Sequence, residues 1–277
     1  MSTWLTRFLT QTQRAEPWQG EEGTLYMLID SVRQPRVEEQ LFQLSEDVEI
    51  KPLFQGTAFA ELNDVSPLWV HLPAGGAMAA KAAQLCLDNR SGILLTSTAD
   101  AQSSLAHARR LLQMRSAEYG LALARFYDPA FWSALALTVP TPALFGPWET
   151  VFTPPANPSD SGWRVWQREE QDQEDLADTG YPLSLQASTL AAVDELRWWY
   201  WVRALEAEAS KALADAQLPL VLSNLCLLIE HGIEEGRHLQ SLLPHLQQQL
   251  SERPEVMEML RRDLPAFEKA QRLEGLV

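Results

Sequence analysis

The chain has 277 residues, 46 % of them hydrophobic and 21 % charged. That is enough apolar material for one large domain or two modest lobes, and too much for a disordered chain. Its net charge is −15, and residues 1–150, 151–180 and 181–277 each net −5, so no basic domain hides inside an acidic average. A polyanion repels nucleic acid and anionic lipid, which argues against both as partners.

The opening, MSTWLTRFLTQTQR, lacks a basic stretch followed by a continuous apolar run, so no signal peptide is predicted. Residues 24–30, TLYMLID, read as a mostly buried strand ending in Asp30, and 35–44 as a short helix opened by Pro35. A strand is predicted at 67–72 (PLWVHL), a helix at 75–88, a strand at 92–97 (GILLTS) and a helix over 100–115. A strand at 121–127 (LALARFY) and a helix at 129–138 complete an alternation of strands and helices. Near-continuous apolar strands need cover on both faces. The predicted fold is therefore an α/β N-terminal lobe, residues 1–150, with a mixed or largely parallel sheet flanked by helices. Residues 151–183 change character: Pro154, Pro155 and Pro158, a short hairpin around Trp163 to Arg168, then an acidic run from Glu169 to Asp178, together read as a linker. Residues 184–277 predict an all-α C-terminal lobe with helices at 186–214, 218–235, 238–250 and 254–272, punctuated by Pro219, Pro244, Pro254 and Pro265.

Motifs that demand chemistry are missing. There is no G-x-S-x-G elbow, no H-E-x-x-H helix, no phosphate loop and no paired C-x-x-C. Cys86 and Cys226 lie far apart in apolar helical patterns and read as buried thiols in a reducing compartment. The longest apolar stretch, Leu218 to Ile229, is too short for a bilayer, so a cytoplasmic protein is expected. His231, Glu234, Glu235 and His238 have helical spacing, but Gly232 and Gly236 interrupt them and they read as surface, not metal ligands. No catalytic residue, metal or cofactor is predicted. The oddity is ten tryptophans, with Trp198, Trp199, Tyr200 and Trp201 in a row. At about 100° per residue four rings point all round a helix, so they either fill a core and lobe interface or line a groove for a partner peptide.

Four segments carry a resemblance: LYMLIDSVRQP at 25–35, PLWVHL at 67–72, GILLTS at 92–97, and RFYDP at 125–129 followed by FGPW at 145–148. In this order they resemble the domain of unknown function 4123, a family of adaptor chaperones for type VI secretion effectors. The resemblance covers about residues 23–150, and 184–277 carries no matching motif. It implies a bilobed, non-catalytic protein that holds an effector's N-terminal region. It would deliver this cargo to the secretion spike, a VgrG trimer or an attached PAAR-repeat protein. The acidic surface would favour basic cargo segments. Within the motifs, Tyr26 and Asp30 share a strand face, Arg125 and Tyr127 share another, and Asp128 is placed to cap the helix that Pro129 begins. An Arg125–Asp30 pair is expected. Tyr26, Asp30, Arg125, Tyr127 and Asp128 either define the fold or edge a cargo pocket, with Trp198, Trp199 and Trp201 on the groove. Two other functions fit the residues less well. One is an immunity protein that blocks a toxin's catalytic end. The other is a hydrolase using Asp30, Asp128 and His71 or His107.

Overall fold

Successive side chains of a strand point to opposite faces, and all five residues of Leu25–Ile29 are buried, so both faces of this strand need cover. The computed structural model describes residues 3–11, 13–17, 24–45, 48–72, 76–157, 162–168, 182–209, 213–214 and 216–276. In it, a seven-stranded sheet supplies the middle layer between helices. Its strands are β1 (Arg14–Ala15), β2 (Thr24–Ile29), β3 (Glu49–Pro52), β4 (Leu68–Leu72) and β5 (Gly92–Ser97), then β8 (Trp148–Thr153) and β9 (Trp163–Gln167), after the small-sheet strands β6 (Gln113–Ser116) and β7 (Gly120–Leu123). They lie in the order β1–β9–β8–β5–β2–β4–β3.

Every neighbouring pair in this sheet is antiparallel, which corrects the expectation of a mixed or largely parallel sheet. The cause is visible in the connections. Helix α2 (Val37–Phe42) links β2 to β3, and α3 (Gly76–Leu87) links β4 to β5. Each is a crossover between strands of like direction, but each skips one position. Strand β4 fills the gap between β2 and β3, and β2 fills the gap between β4 and β5, both running the opposite way. Helical spacing reveals the crossover and not the inserted strand, and β3, EIKP, is too polar and half-exposed to read as a strand at all.

One face carries Leu25, Met27, Ile29, Val70 and Leu94 under α2 and α3. The other carries Tyr26, Leu28, Trp69, Leu95 and Val151. Over it lie α1 (Thr3–Thr10), α4 (Ala101–Leu111) and α5 (Pro129–Thr138), with the short α6 (Thr141–Phe145) leading into β8. Helix α4 ends at Leu111, four residues before the sequence pattern suggested, because 113–116 turns into β6. Strand β7 stops at Leu123, so Arg125 to Tyr127 form a turn and not the end of a strand. Strand β6 is antiparallel to β7 and parallel to β10 (Leu183–Leu185), making a separate three-stranded sheet. Strand β9 is an internal strand of the main sheet: Arg164 to Gln167 pair with β8, and Trp163 and Arg164 with β1. The acidic run 169–178 lies outside the described residues.

The helical part begins with α7 (Ala187–Ala209), continues with α8 (Leu218–Glu230), α9 (Gly236–Leu242), α10 (Pro254–Leu260) and α11 (Ala266–Glu274). Pro254 starts a helix, and Pro265, the N-cap of α11, divides the stretch expected as one helix over 254–272. Buried Asn224 on α8 ties this part together, donating to Leu246 O at 2.8 Å and Gln248 O at 2.7 Å and accepting from Leu250 N at 3.3 Å. Helix α5 is apolar all round and buried from Pro129 to Leu135, because the sheet covers one side and α7 the other.

Candidate functional site

Proline suits the first turn of a helix, and the residue before it is pushed toward extended backbone, which is the N-cap geometry. Asp128 uses this. Its Oδ1 accepts from Ala130 N at 2.9 Å and Phe131 N at 3.1 Å, and its Oδ2 accepts from Arg33 Nη1 at 2.7 Å. Asp30, just past β2, is built alike. Its Oδ1 accepts from Val32 N at 3.0 Å and Arg33 N at 3.3 Å. Its Oδ2 pairs with Arg125, the contact the sequence anticipated, with Arg33 Nε 3.8 Å away. Both carboxylates are about 95 % buried, while the Arg33 and Arg125 side chains stay 39 % and 44 % exposed. The acids are thus satisfied by amides and one guanidinium each, and the arginine heads reach solvent. Tyr127 is buried with Arg125 5.9 Å over its ring; burial pushes its phenol up to about 12, with Arg125 pulling the other way.

Asn89 and Arg90 have φ of 57° and 50°, a left-handed pair without glycine. This turn is held by Asn89 Nδ2 donating to Arg33 O and Arg33 Nη1 donating to Arg90 O, both at 3.3 Å. It carries Arg90 across to α7, where Nη1 donates to Tyr200 O at 2.6 Å. Burial lowers the affinity of Arg90 for its proton, the signature of a guanidinium partly stripped of water.

Between these groups and α7 lies an open cavity of about 700 Å³. Arg33, Arg90 and Asp128 form one wall, and Arg197, Trp198 and Trp201 the other. Arg197 and Trp198 each share a face with Trp201, which follows them by four and three positions. Trp198 and Trp201 meet edge to face at 5.5 Å. Asp194, 3.8 Å from Arg197, completes the α7 side. Three guanidinium groups therefore face two carboxylates, one of which, Asp128, already caps a helix and holds Arg33.

The site residues predicted from sequence divide into three sets. Asp128, Trp198 and Trp201 line the cavity. Asp30, Arg125 and Tyr127 stand behind it as the brace for Arg33. Tyr26 and Trp199 are in the core: Tyr26 packs 4.6 Å from Trp69 on the sheet, and Trp199 meets Phe8 of α1 edge to face at 4.8 Å. Arg33, Arg90 and Arg197 escaped sequence reasoning. Arg197 had a signal, lying four residues before Trp201 on the same helical face. Arg90 had none, since only the left-handed turn brings it to α7.

His71 stacks on Tyr26 beside Glu49, and His107 is fully buried against Trp148, 4.7 Å away edge to face, with Nε2 2.9 Å from Leu144 O. Neither lines the cavity. Among the described residues no cluster of three or more His, Cys, Asp or Glu side chains is arranged to hold a metal ion, and no helix is long and apolar enough to cross a membrane.

Residues 25–143 match the family model described as Domain of unknown function (DUF4123), a family associated with adaptors of type VI secretion effectors. No curated protein and no solved structure matches the chain. The matched span runs from β2 into α6. It contributes Arg33, Arg90 and Asp128 to the cavity, whereas Arg197, Trp198 and Trp201 come from α7 beyond it.

Proposed function

We propose that the chain is a cytoplasmic adaptor chaperone that binds the N-terminal region of a type VI secretion effector and helps load it onto the VgrG or PAAR spike. The observation that carries this reading is the cavity between the matched span and α7. Two half-buried tryptophans and three arginines meet there without a metal cluster among the described residues, a composition suited to gripping a peptide. Binding energy alone is the mechanism: rings exclude water from an apolar segment while arginines fix its polar groups. The braced Asp30–Arg125 and Asp128–Arg33 pairs keep the wall preformed, which lowers the ordering cost of binding.

The test is co-purification of the chain with the products of neighbouring genes, followed by truncation of what binds. An adaptor retains the N-terminal fragment of a large toxin and raises that toxin's level in the cell. Retention of only the toxin's catalytic C-terminal domain would instead mean an immunity protein. Turnover of a substrate by the purified chain, lost in Asp128→Asn, would mean a hydrolase.

A further inference from the structure

We propose that the cavity between the Asn89–Arg90 turn and α7 selects an acidic anchor, a partner segment that carries a carboxylate beside an apolar side chain within one helical turn. This rests on the adaptor reading for its setting and deepens it by naming the chemistry of the cargo. The bulk charge of −15 points the other way, toward basic cargo, but bulk charge and contact charge act over different ranges. At physiological salt the Debye length is about 8 Å, so distant acids are screened while a contact pair is not.

At contact range the cavity is cationic. Asp30 is engaged by Arg125 and Asp128 by Arg33, leaving Arg90 and Arg197. Arg90 spends Nη1 on Tyr200 O, and Arg197 holds Asp194 only at 3.8 Å, beyond hydrogen-bond distance. A guanidinium has five donors, and a carboxylate is the group whose geometry matches them. Next to these arginines stand the edge-to-face rings of Trp198 and Trp201, which take an apolar side chain and exclude water from the ion pair. A volume of about 700 Å³ admits two or three side chains, one turn of a partner helix and not a folded domain.

The experiment is fluorescence anisotropy of the full chain with three labelled model helices. All share one alanine, leucine and tryptophan framework, and carry two glutamates, two glutamines or two lysines beside the tryptophan. The glutamate helix is expected to bind about tenfold tighter than the glutamine helix, the size of one charged hydrogen bond, with the lysine helix weakest. Arg197→Glu, at a side chain 47 % exposed and so safe for folding, is expected to reverse the order, and Trp201→Ala to weaken all three. Equal binding, no binding, tightest binding of lysine, or an order unchanged in R197E would overturn the proposal. The adaptor reading is scored separately by co-purification. A captured effector without glutamate preference sinks the acidic anchor alone, and glutamate preference without a captured effector sinks the adaptor alone.

Discussion

Asp128 holds two jobs on separate oxygens, and substitutions can remove them one at a time. Asparagine keeps an N-cap acceptor and abolishes the charge; alanine abolishes both. Loss of an N-cap costs about 1 kcal/mol. The pair with Arg33 lies at 2.7 Å with the acid buried and the arginine side chain 39 % exposed, so it is discounted from the 3–5 kcal/mol of a fully buried pair to about 1 kcal/mol. Asp128→Asn is therefore expected to cost about 1 kcal/mol and Asp128→Ala about 2 kcal/mol, the latter lowering Tm by roughly 4–6 °C. Urea denaturation at pH 7, read as shifts in midpoint at constant slope, measures both. A double-mutant cycle of Asp128→Asn with Arg33→Ala isolates the ion pair, and the double variant is expected to lose about 1 kcal/mol less than the sum of the two single losses, the contact of Arg33 with Arg90 O falling outside the coupling. Equal losses for asparagine and alanine would refute the cap, and an unaltered midpoint in Asp128→Asn would refute the pair.

Burial lowers the His107 pKa from 6.5 to about 4, so the unfolded chain takes up a proton that the native state refuses. Stability from this group is thus complete above pH 6.5 and lost as pH falls toward 4, by about 2 kcal/mol at pH 5, and His107→Asn is expected to flatten that part of the urea-midpoint profile between pH 7 and 5. Gly146 has φ of 52°, and a Cβ there would lie 2.5 Å from the His107 ring, so Gly146→Ala is expected to cost about 2–3 kcal/mol by calorimetry, partly recovered in a His107→Ala background. Trp199→Ala, emptying a site against Phe8, is expected to cost about 3–5 kcal/mol. Trp198→Ala and Trp201→Ala are expected to leave the melting curve within a few degrees of wild type and, on the adaptor proposal, to weaken co-purification of the partner.

Patterns local in sequence were legible. The Asp128–Pro129 helix start needs only two adjacent residues, and the apolar runs at 25–29, 68–72 and 92–97 state that both strand faces are covered. Strand direction was not legible, because it depends on which gap each crossover leaves and on β3, whose Glu49 and Lys51 carry no strand signal. Helix α4 was read too long because Leu111 and Leu112 prolong its spacing up to the point where the chain turns into β6. For the four consecutive aromatics, angular arithmetic separates Trp198 and Trp201 from Trp199 and Tyr200, and the structure assigns the first two to the cavity and the second two to the core. Arginines in no motif carry no such mark. They meet because Asn89 and Arg90 adopt a backbone shape that sequence expresses weakly, asparagine being the only residue of the pair with a leaning toward it.

The way α5 is wrapped bears on how these proteins are cut and joined. Its buried surface from Pro129 to Leu135 is finished by α7, and Trp199 of α7 also receives Phe8 of α1. A chimera that swaps everything after residue 183 would strip that cover and leave a bare apolar rod on the recipient. A seam between Ala209 and Leu218 keeps that cover: α7 stays with the sheet, its Arg197, Trp198 and Trp201 stay in the cavity, and only α8 to α11 are traded.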